Sequence, residues 1–380
     1  MLKKRYLLTP GPTPVPPESL LAMAEPIIHH RTDEFRKILL EVTEGLKYIH
    51  QTKNDIFIFS SSGTGAMEAA VANILSAGDK VLAVTGGKFG ERWKEIAEAY
   101  KVDVIPLEVE WGKAVNPEVI KKHLKETPEI KAVFTTLCET STGVKTDIKT
   151  IAEIIKEHEA VLVVDAISAL GAEELKTDEW GIDVVVAGSQ KGLMIPPGLS
   201  SICISEKAYK KIETSDLPKY YFDIKRAKKS FDKSDTPWTP AVSLVIGLRA
   251  TIKMIKEEGI ENVIQRHKRL GEAMRQAIKA INLELLAEDS PSNVVTAVKV
   301  PEGIDAQEIV RSLRSNDDIW IAGGQGHLKG KIFRVAHLGY MNQYDMIIAI
   351  CALEKTLKGL GHKFELGKGL LTAEQVLFSQ

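Results

Sequence analysis

The fold is decided by one stretch of sequence, Val184-Val185-Val186-Ala187-Gly188-Ser189-Gln190-Lys191. Its first four residues are apolar with no polar position among them, which is typical of a strand buried on both faces of a sheet. A lysine just behind such a strand is expected to project from the strand end into a cleft. Two other apolar runs end in a similar way: Ile56-Phe57-Ile58-Phe59 leads into Ser60-Ser61-Ser62-Gly63-Thr64-Gly65, and Val161-Leu162-Val163-Val164 leads into Asp165.

The pattern around these runs predicts an α/β fold. Between Ile56 and Ile204, apolar strand-like runs alternate with helical stretches, which indicates a mostly parallel, doubly wound sheet covered on both faces. Ligands of such sheets bind beyond the carboxyl ends of the strands, so we expect the three strand-end groups to meet there. After Ser243 long helices dominate, which predicts a smaller α+β domain.

The expected organisation is an extended arm over residues 1–18, a large domain over 19–260 and a small domain over 261–380. The proline-rich run from Thr9 to Pro17 cannot form a helix or a central strand. We interpret it as a docked arm, with a disordered tail as the alternative. Residues from Gly367 onward are interpreted as a loosely attached helical tail.

Composition excludes several classes of protein. The 380 residues carry a net charge of −1 with scattered lysines and arginines, so no nucleic-acid footprint is expected. Three cysteines without metal-type spacing argue against disulfides and structural zinc. No apolar stretch is long enough to span a membrane, and the N-terminus lacks the apolar core of a secretory signal. We therefore expect a cytoplasmic protein.

A lysine amine, a carboxylate and a hydroxyl-rich loop at strand ends are what an enzyme needs to hold pyridoxal phosphate. The lysine forms an imine with the cofactor, the carboxylate keeps the pyridine nitrogen protonated, and the start of the helix after the loop binds the phosphate. Each group alone has a plainer interpretation: a tight turn for Ser62-Gly63-Thr64-Gly65, a cap for Asp165 and a solvated surface lysine for Lys191. Their occurrence together in one sheet favours the cofactor site.

Three further features fit such a site. Phe89, among the glycines of Gly86-Gly87-Lys88-Phe89-Gly90, is either a core residue or an aromatic that stacks on a flat ring. Glu139-Thr140-Ser141-Thr142-Gly143-Val144 is another strand-end loop. Arg334 is either part of a structural ion pair or a bidentate partner for a substrate carboxylate.

The order of these motifs resembles the class V family of pyridoxal-phosphate aminotransferases, most closely the alanine–glyoxylate and serine–glyoxylate/pyruvate group. The resemblance runs from Pro10-Gly11-Pro12-Thr13 to Arg334-Val335-Ala336-His337-Leu338-Gly339. The most specific motifs are Ser62-Gly63-Thr64-Gly65-Ala66-Met67-Glu68-Ala69-Ala70, Glu139-Thr140-Ser141-Thr142-Gly143-Val144, Val163-Val164-Asp165-Ala166 and Gly188-Ser189-Gln190-Lys191 with Pro196-Pro197-Gly198.

The resemblance implies a fold-type I homodimer with each site at the subunit boundary. It makes Lys191 the imine lysine and Asp165 the partner of the pyridine nitrogen, with Phe89 stacked on the ring and Thr140 beside the ring hydroxyl. It also places Ser62, Gly63, Thr64 and Gln190 at the phosphate. Thr239, in Thr236-Pro237-Trp238-Thr239-Pro240, is expected at the phosphate of the neighbouring subunit. Arg334 and Gly11 are expected at the substrate, where Arg334 holds the α-carboxylate.

The implied reaction is amino transfer from alanine or serine to glyoxylate or pyruvate. Desulfurase relatives need a mobile catalytic cysteine, whereas Cys351 lies in a helical apolar stretch, so desulfuration is not expected. No second arginine is evident for a distal carboxylate, which favours small substrates. The alternatives left open are a lyase, an aminotransferase for another substrate such as a ureido-amino acid or a phosphonate, and a subunit that keeps the cofactor within a larger complex.

Overall fold

The computed structural model describes residues 4–379; residues 1–3, where the predicted arm begins, and Gln380 lie outside the described residues. Within the described part, no helix is both long and apolar enough to cross a membrane. The cytoplasmic location stays a prediction.

The helices of the described residues are α1 Pro17–Ala24, α2 Asp33–His50, α3 Gly63–Ile74, α4 Lys88–Ala99, α5 Pro117–Glu126, α6 Ile148–Ile155, α7 Thr177–Trp180, α8 Glu206–Thr214, α9 Ile224–Phe231, α10 Val242–Glu258, α11 Ile260–Ala280, α12 Ala306–Asp317, α13 Gln343–Gly359 and α14 Lys368–Phe378. The strands are β1 Tyr6–Leu7, β2 Asp55–Phe59, β3 Lys80–Thr85, β4 Asp103–Glu108, β5 Ala132–Thr136, β6 Cys138–Glu139, β7 Val144–Lys145, β8 Val161–Asp165, β9 Val184–Gly188, β10 Ser200–Ile204, β11 Glu284–Leu285, β12 Val295–Lys299, β13 Ile319–Trp320, β14 Ala322–Gly323 and β15 Ile332–Ala336.

The first half of the chain builds a seven-stranded sheet in the order β2-β10-β9-β8-β5-β3-β4. The sheet lies between two apolar layers, one containing α2, α6 and α10 and the other containing α3, α4 and α8. All pairings are parallel except those of β10, which runs antiparallel to both β2 and β9. The predicted mostly parallel α/β sheet is confirmed.

A four-stranded antiparallel sheet, β11-β12-β15-β14, forms with the C-terminal helices a second apolar core. The change between the two cores falls inside α11, where Ile260 and Val263 pack with the first core and Leu270 and Met274 with the second. The predicted domain limits, with their boundary between residues 260 and 261, stay predictions.

The last helix corrects one expectation from the sequence. In α14, Ala373 and Leu377 are buried in the second core. The carboxylate of the buried Glu354 accepts the N–H groups of Gly367 and Leu370 at the start of this helix. The prediction of a loosely attached tail is therefore wrong: an apolar stripe and a buried cap fix α14 to the second core.

The N-terminal residues connect the two cores. β1 pairs in parallel with β13 beside the four-stranded sheet. A few residues further on, the Thr13 N–H donates to the carbonyl of Gln190 and its hydroxyl to that of Lys191, at 3.2 and 3.0 Å. The segment therefore runs from the second core to the loop that carries the lysine.

Candidate active site

Lys191 lies in the loop after β9. The loop is fixed by Ser189, whose hydroxyl donates to the carbonyl of Pro196 and accepts the N–H of Leu199. The Lys191 Nζ donates to the carbonyl of Pro10. Burial lowers the pKa of the Lys191 amine to about 8, although the negative charge of Asp165 opposes the shift. A neutral fraction of the amine is therefore present near physiological pH.

Asp165 ends β8, the neighbour of β9, and only 3% of it is exposed. Its Oδ1 accepts the N–H of Ile167 at 2.8 Å. Burial raises the pKa of the Asp165 carboxyl to about 7; the Ile167 N–H lowers it, and the charge of Glu139 raises it further. A buried carboxylate of this kind favours a nearby cation or a strong hydrogen-bond donor.

The start of α3 follows β2 and faces the same place. Ser62 precedes the helix and makes no side-chain cap, so the first N–H groups of the helix have no side-chain acceptor from that position. The Thr64 hydroxyl accepts a hydrogen bond from Arg92 at 3.2 Å. The buried Oε1 of Gln190 has no hydrogen-bond partner among residues 4–379. N–H groups at a helix start that the preceding side chain does not cap, with a hydroxyl beside them, suit an anion.

Phe89 lies in the first turn of α4, and the guanidinium carbon of Arg92 is 4.9 Å from its ring centre. Thr140 is buried, and its carbonyl accepts a hydrogen bond from a terminal nitrogen of Arg334 at 2.7 Å. The Arg334 Nε donates to the carbonyl of Gly323 at 2.9 Å. Burial lowers the pKa of Arg334 to about 10. Since no hydrogen bond from its other terminal nitrogen is found among the described residues, that nitrogen can bind an anion.

One cavity gathers most of the residues predicted from the sequence. It is lined by Ser62, Gly63, Thr64, Phe89, Arg92, Cys138, Thr140, Asp165, Ile167, Ser168, Gln190 and Lys191. Gly11 lies directly beside it, because a Cβ on Gly11 would overlap the Lys191 Nζ. Arg334 reaches the cavity through Thr140. Thr239 is exposed and does not line the cavity of its own chain.

Several residues at the cavity were given no role from the sequence: Arg92, Cys138, Ser168 and the adjacent buried Glu139, which was quoted only as the first residue of a motif. Arg92 could have been found, because it follows Phe89 by three residues on one face of a helix. Cys138 and Glu139 come from the short strand β6, which the apolar pattern does not separate from β5.

The family model of class-V aminotransferases matches residues 5–338. The chain belongs to this family. It is therefore a pyridoxal-phosphate-dependent aminotransferase of fold type I. The Ser/Gly/Thr helix start, the strand-end aspartate and the strand-end lysine gathered above lie within the matched residues.

Among relatives, the soluble hydrogenase small subunit of Synechococcus sp. is 44% identical over 99% of both chains. The serine–glyoxylate aminotransferase of Methylorubrum extorquens is 38% identical, covering 98% of this chain and 96% of the relative. The L-aspartate–glyoxylate aminotransferase of Paracoccus denitrificans is 37% identical over 99% of this chain and 96% of the relative. Among solved structures, ureidoglycine–glyoxylate aminotransferase from Bacillus subtilis superposes with a TM-score of 0.94 at 32% identity. The match covers 99% of this chain and 98% of that structure's chain.

Proposed function

We propose that this class V aminotransferase takes the amino group of a small amino acid, alanine or serine, and transfers it to glyoxylate or pyruvate. The observation that carries the proposal is one cavity in which the Lys191 amine, the Asp165 carboxylate and the start of α3 converge, with Arg334 beside it. Glyoxylate as acceptor is supported by the names of three of the relatives and neighbours.

The residues of the cavity fit pyridoxal phosphate. The buried Asp165 carboxylate suits the protonated pyridine nitrogen, since no ion pair to Asp165 is found among the described residues. The start of α3 and the Thr64 hydroxyl lie where a phosphate would be held, and Gln190, whose side-chain amide can donate, lines the same cavity. Phe89 offers a flat ring, and Thr140 lies across the same cavity.

When bound, pyridoxal phosphate links to the amine and delocalises the electron pair left when the substrate loses its α-proton. We assign to Lys191 the transfer of that proton, because an amine with a pKa of about 8 both accepts and returns a proton near neutral pH. Asp165 would hold the proton on the pyridine nitrogen. Arg334 would bind the α-carboxylate through its free terminal nitrogen and so fix the direction of the Cα–H bond.

Aspartate is the second candidate donor. The cavity contains a second cation, Arg92, whereas the sequence interpretation expected no second arginine for a distal carboxylate. The L-aspartate–glyoxylate aminotransferase of Paracoccus denitrificans favours this alternative. Against it, the Arg92 guanidinium already packs over Phe89 and donates to Thr64.

Two other roles have less support. A subunit role in a larger complex is favoured by the name of the Synechococcus relative, but such a role alone would not require the lysine, aspartate and arginine around one cavity. Desulfuration would need a mobile cysteine at the site. Cys351 lies instead within α13, a regular helix, on its exposed side.

We further propose a homodimer in which Thr239 reaches the phosphate site of the neighbouring subunit. Support comes from the exposed position of Thr239 in the segment between α9 and α10. That segment is fixed close to the start of α3 in its own chain, because the Ala241 N–H donates to the Ser60 hydroxyl.

A half-reaction screen tests the proposed substrates. Purified holoenzyme receives alanine, serine, aspartate or glutamate separately, and the absorbance spectrum of the bound cofactor is followed. We expect alanine and serine to convert the cofactor spectrum from the pyridoxal to the pyridoxamine form, and glyoxylate or pyruvate to restore the pyridoxal form. The Lys191→Ala variant should not turn over in either direction. Conversion by aspartate alone would select the second candidate. No conversion by any of the four amino acids would overturn the proposal.

A further inference from the structure

Glu139 is a buried carboxylate beside the cavity, and the proposed reaction assigns it no role. Only 5% of Glu139 is exposed. It ends β6 and directly precedes Thr140, which lines the cavity. No ion pair to Glu139 is found among residues 4–379, so neutral donors must satisfy its charge.

Both oxygens of this carboxylate are fully used. Oε2 accepts the N–H groups of Phe89 at 3.0 Å and Gly90 at 2.9 Å. Oε1 accepts the N–H of Ser141 at 3.2 Å and its hydroxyl at 2.5 Å. The Ser141 oxygen in turn accepts the N–H of Lys88 at 3.1 Å. The first turn of α4 is thus held twice, directly and through Ser141.

This pattern of donors matches the ionised carboxylate. A protonated Glu139 would have to donate its proton to Ser141, and the Ser141 hydroxyl would then give up its own hydrogen bond to Oε1. Burial raises the pKa of the Glu139 carboxyl, while the hydrogen bonds from Ser141, Gly90 and Phe89 oppose this shift and favour the ionised form. The residue before α4 is Gly87, which has no side chain, so among the described residues only Glu139 and Ser141 cap the start of this helix with their side chains. A Cβ on Gly87 would overlap the Glu139 carboxyl, so the backbone leaves room for this contact.

Glu139 also lies between two groups of the cavity. On one side it holds the N–H of Phe89, whose ring faces the cavity, and on the other side it precedes Thr140, whose carbonyl accepts from Arg334. Its charge raises the pKa of both Asp165 and Arg334, which places it within electrostatic reach of the reacting groups.

We propose that Glu139 is a positioning residue, whose ionised carboxylate fixes the first turn of α4 and thereby holds the Phe89 ring against the cofactor plane. This inference rests on the proposed function, which places Phe89 on the cofactor ring. Glu139 does not itself contact the substrate. Its effect should appear in the chemical step and in the seating of the cofactor, not in substrate binding.

The test compares Glu139→Gln with the control Glu91→Gln, which removes a carboxylate from the same turn of α4 but lies outside the cavity lining. An amide cannot accept on both sides, so two of the four hydrogen bonds are lost. In cofactor-free protein, we expect amide exchange over residues 86–92 to accelerate roughly tenfold or more in Glu139→Gln and not in Glu91→Gln. Unchanged exchange in Glu139→Gln would overturn the proposal.

In the holoenzyme, we expect Glu139→Gln to lower kcat by roughly tenfold, to leave KM for the amino donor within about twofold, and to change the visible circular dichroism of the bound cofactor. If Glu139 acts through Phe89, the loss should largely vanish in a Phe89→Ala background. A fully additive loss, or an unaltered dichroism band, would contradict the proposal.

Two further arms keep the outcome decisive. If Glu139→Gln does not fold, Ser141→Ala is tested instead. This change removes one donor to Glu139 and the acceptor of the Lys88 N–H. The rate of amide exchange over residues 86–92 should then rise, and an unchanged rate would overturn the proposal. If the wild-type enzyme transfers no amino group from any small donor, the proposed function fails, while exchange and dichroism still decide the role of Glu139.

Discussion

At the scale of single residues, Asp165 carries opposing demands of stability and catalysis. Its pKa in the folded protein is raised to about 7 from the ordinary 3.8, so the folded state binds this proton more tightly than the unfolded state. The resulting loss of stability is absent below about pH 4, grows as the pH rises, and is complete above pH 7. A cofactor with a protonated pyridine nitrogen beside Asp165 would remove this loss of stability.

We therefore predict that Asp165→Asn stabilises the cofactor-free protein at pH 8 by on the order of 2–4 kcal/mol, and that the gain shrinks as the pH falls from 7 towards 4. Urea unfolding of both cofactor-free proteins at several pH values measures this. The holoenzyme variant should lose several orders of magnitude in rate, because the proton on the pyridine nitrogen is no longer held. Equal stabilities at every pH would refute the explanation by burial.

Arg334 gives a second prediction at this scale. Its guanidinium holds the carbonyls of Thr140 and Gly323 with two nitrogens, and the third has no hydrogen bond to any residue from 4 to 379. A lysine retains the charge but cannot reproduce this planar arrangement. We expect Arg334→Lys to raise KM for both alanine and glyoxylate by roughly tenfold or more, equivalent to about 1.5–3 kcal/mol.

Cofactor affinity and the cofactor spectrum are the controls for Arg334→Lys, and both should barely change. Release of the cofactor, with KM unaltered, would instead assign Arg334 to the structure or to the phosphate. Steady-state kinetics with both substrates and a cofactor titration separate these outcomes.

At the scale of elements, α14 shows how a terminal helix is fixed. Leu377 is buried against the second core, whereas Leu371 on the same helix is 57% exposed. We predict that Leu377→Ala lowers the free energy of unfolding by about 2 kcal/mol, while Leu371→Ala changes it by less than about 0.5 kcal/mol. Urea denaturation measures both, and similar values for the two variants would contradict the packing of α14.

Local patterns predicted the strands but not all of their relations. β10 looks like its neighbours in sequence, yet it is antiparallel, because residues 189–199 include no helix to carry the chain back across the sheet. That signal was available in the length of the connection. The packing of α14 was not available locally, because it depends on Glu354 and on the surface of α11.

The same distinction explains the predictions of the site. The convergence of Lys191, Asp165 and Thr64 on one cavity was predictable, because parallel strands align their carboxyl ends at one edge of the sheet. Their roles stay predictions. Glu139 opens one of the quoted motifs, but no role was predicted for it, because its partners are the N–H groups of Phe89 and Gly90, about fifty residues earlier in the chain. Composition alone could not show which of many glutamates would be buried there.

At the scale of the whole molecule, the proposed dimer predicts complementation between inactive subunits. In a mixed dimer of Lys191→Ala and Thr239→Asp chains, the site with intact Lys191 receives Thr239 from the neighbouring chain. Random mixing should restore about one quarter of wild-type activity, because about half of the dimers are mixed and each has one intact site. Each variant alone should be nearly inactive, since Thr239→Asp places a negative charge against the phosphate.

Subunit exchange must be shown independently, for example by native mass spectrometry of tagged chains. Exchange without recovered activity would place the whole site within one chain. A mixture of wild-type and Lys191→Ala chains is the control, because it gives the activity expected when active subunits pair with inactive ones.

The segment that joins the two cores has a consequence for how the enzyme is made. Leu8 exchanges backbone hydrogen bonds with Trp320 and Ala336, and Thr13 bonds to Lys191, so residues 8–13 dock on parts of the chain that leave the ribosome much later. The stretch beside the lysine is therefore synthesised before the residues on which it docks. A nascent chain stalled before residue 320 lacks both partners of Leu8, so residues 8–13 cannot be fully docked beside Lys191 until Trp320 and Ala336 have been synthesised.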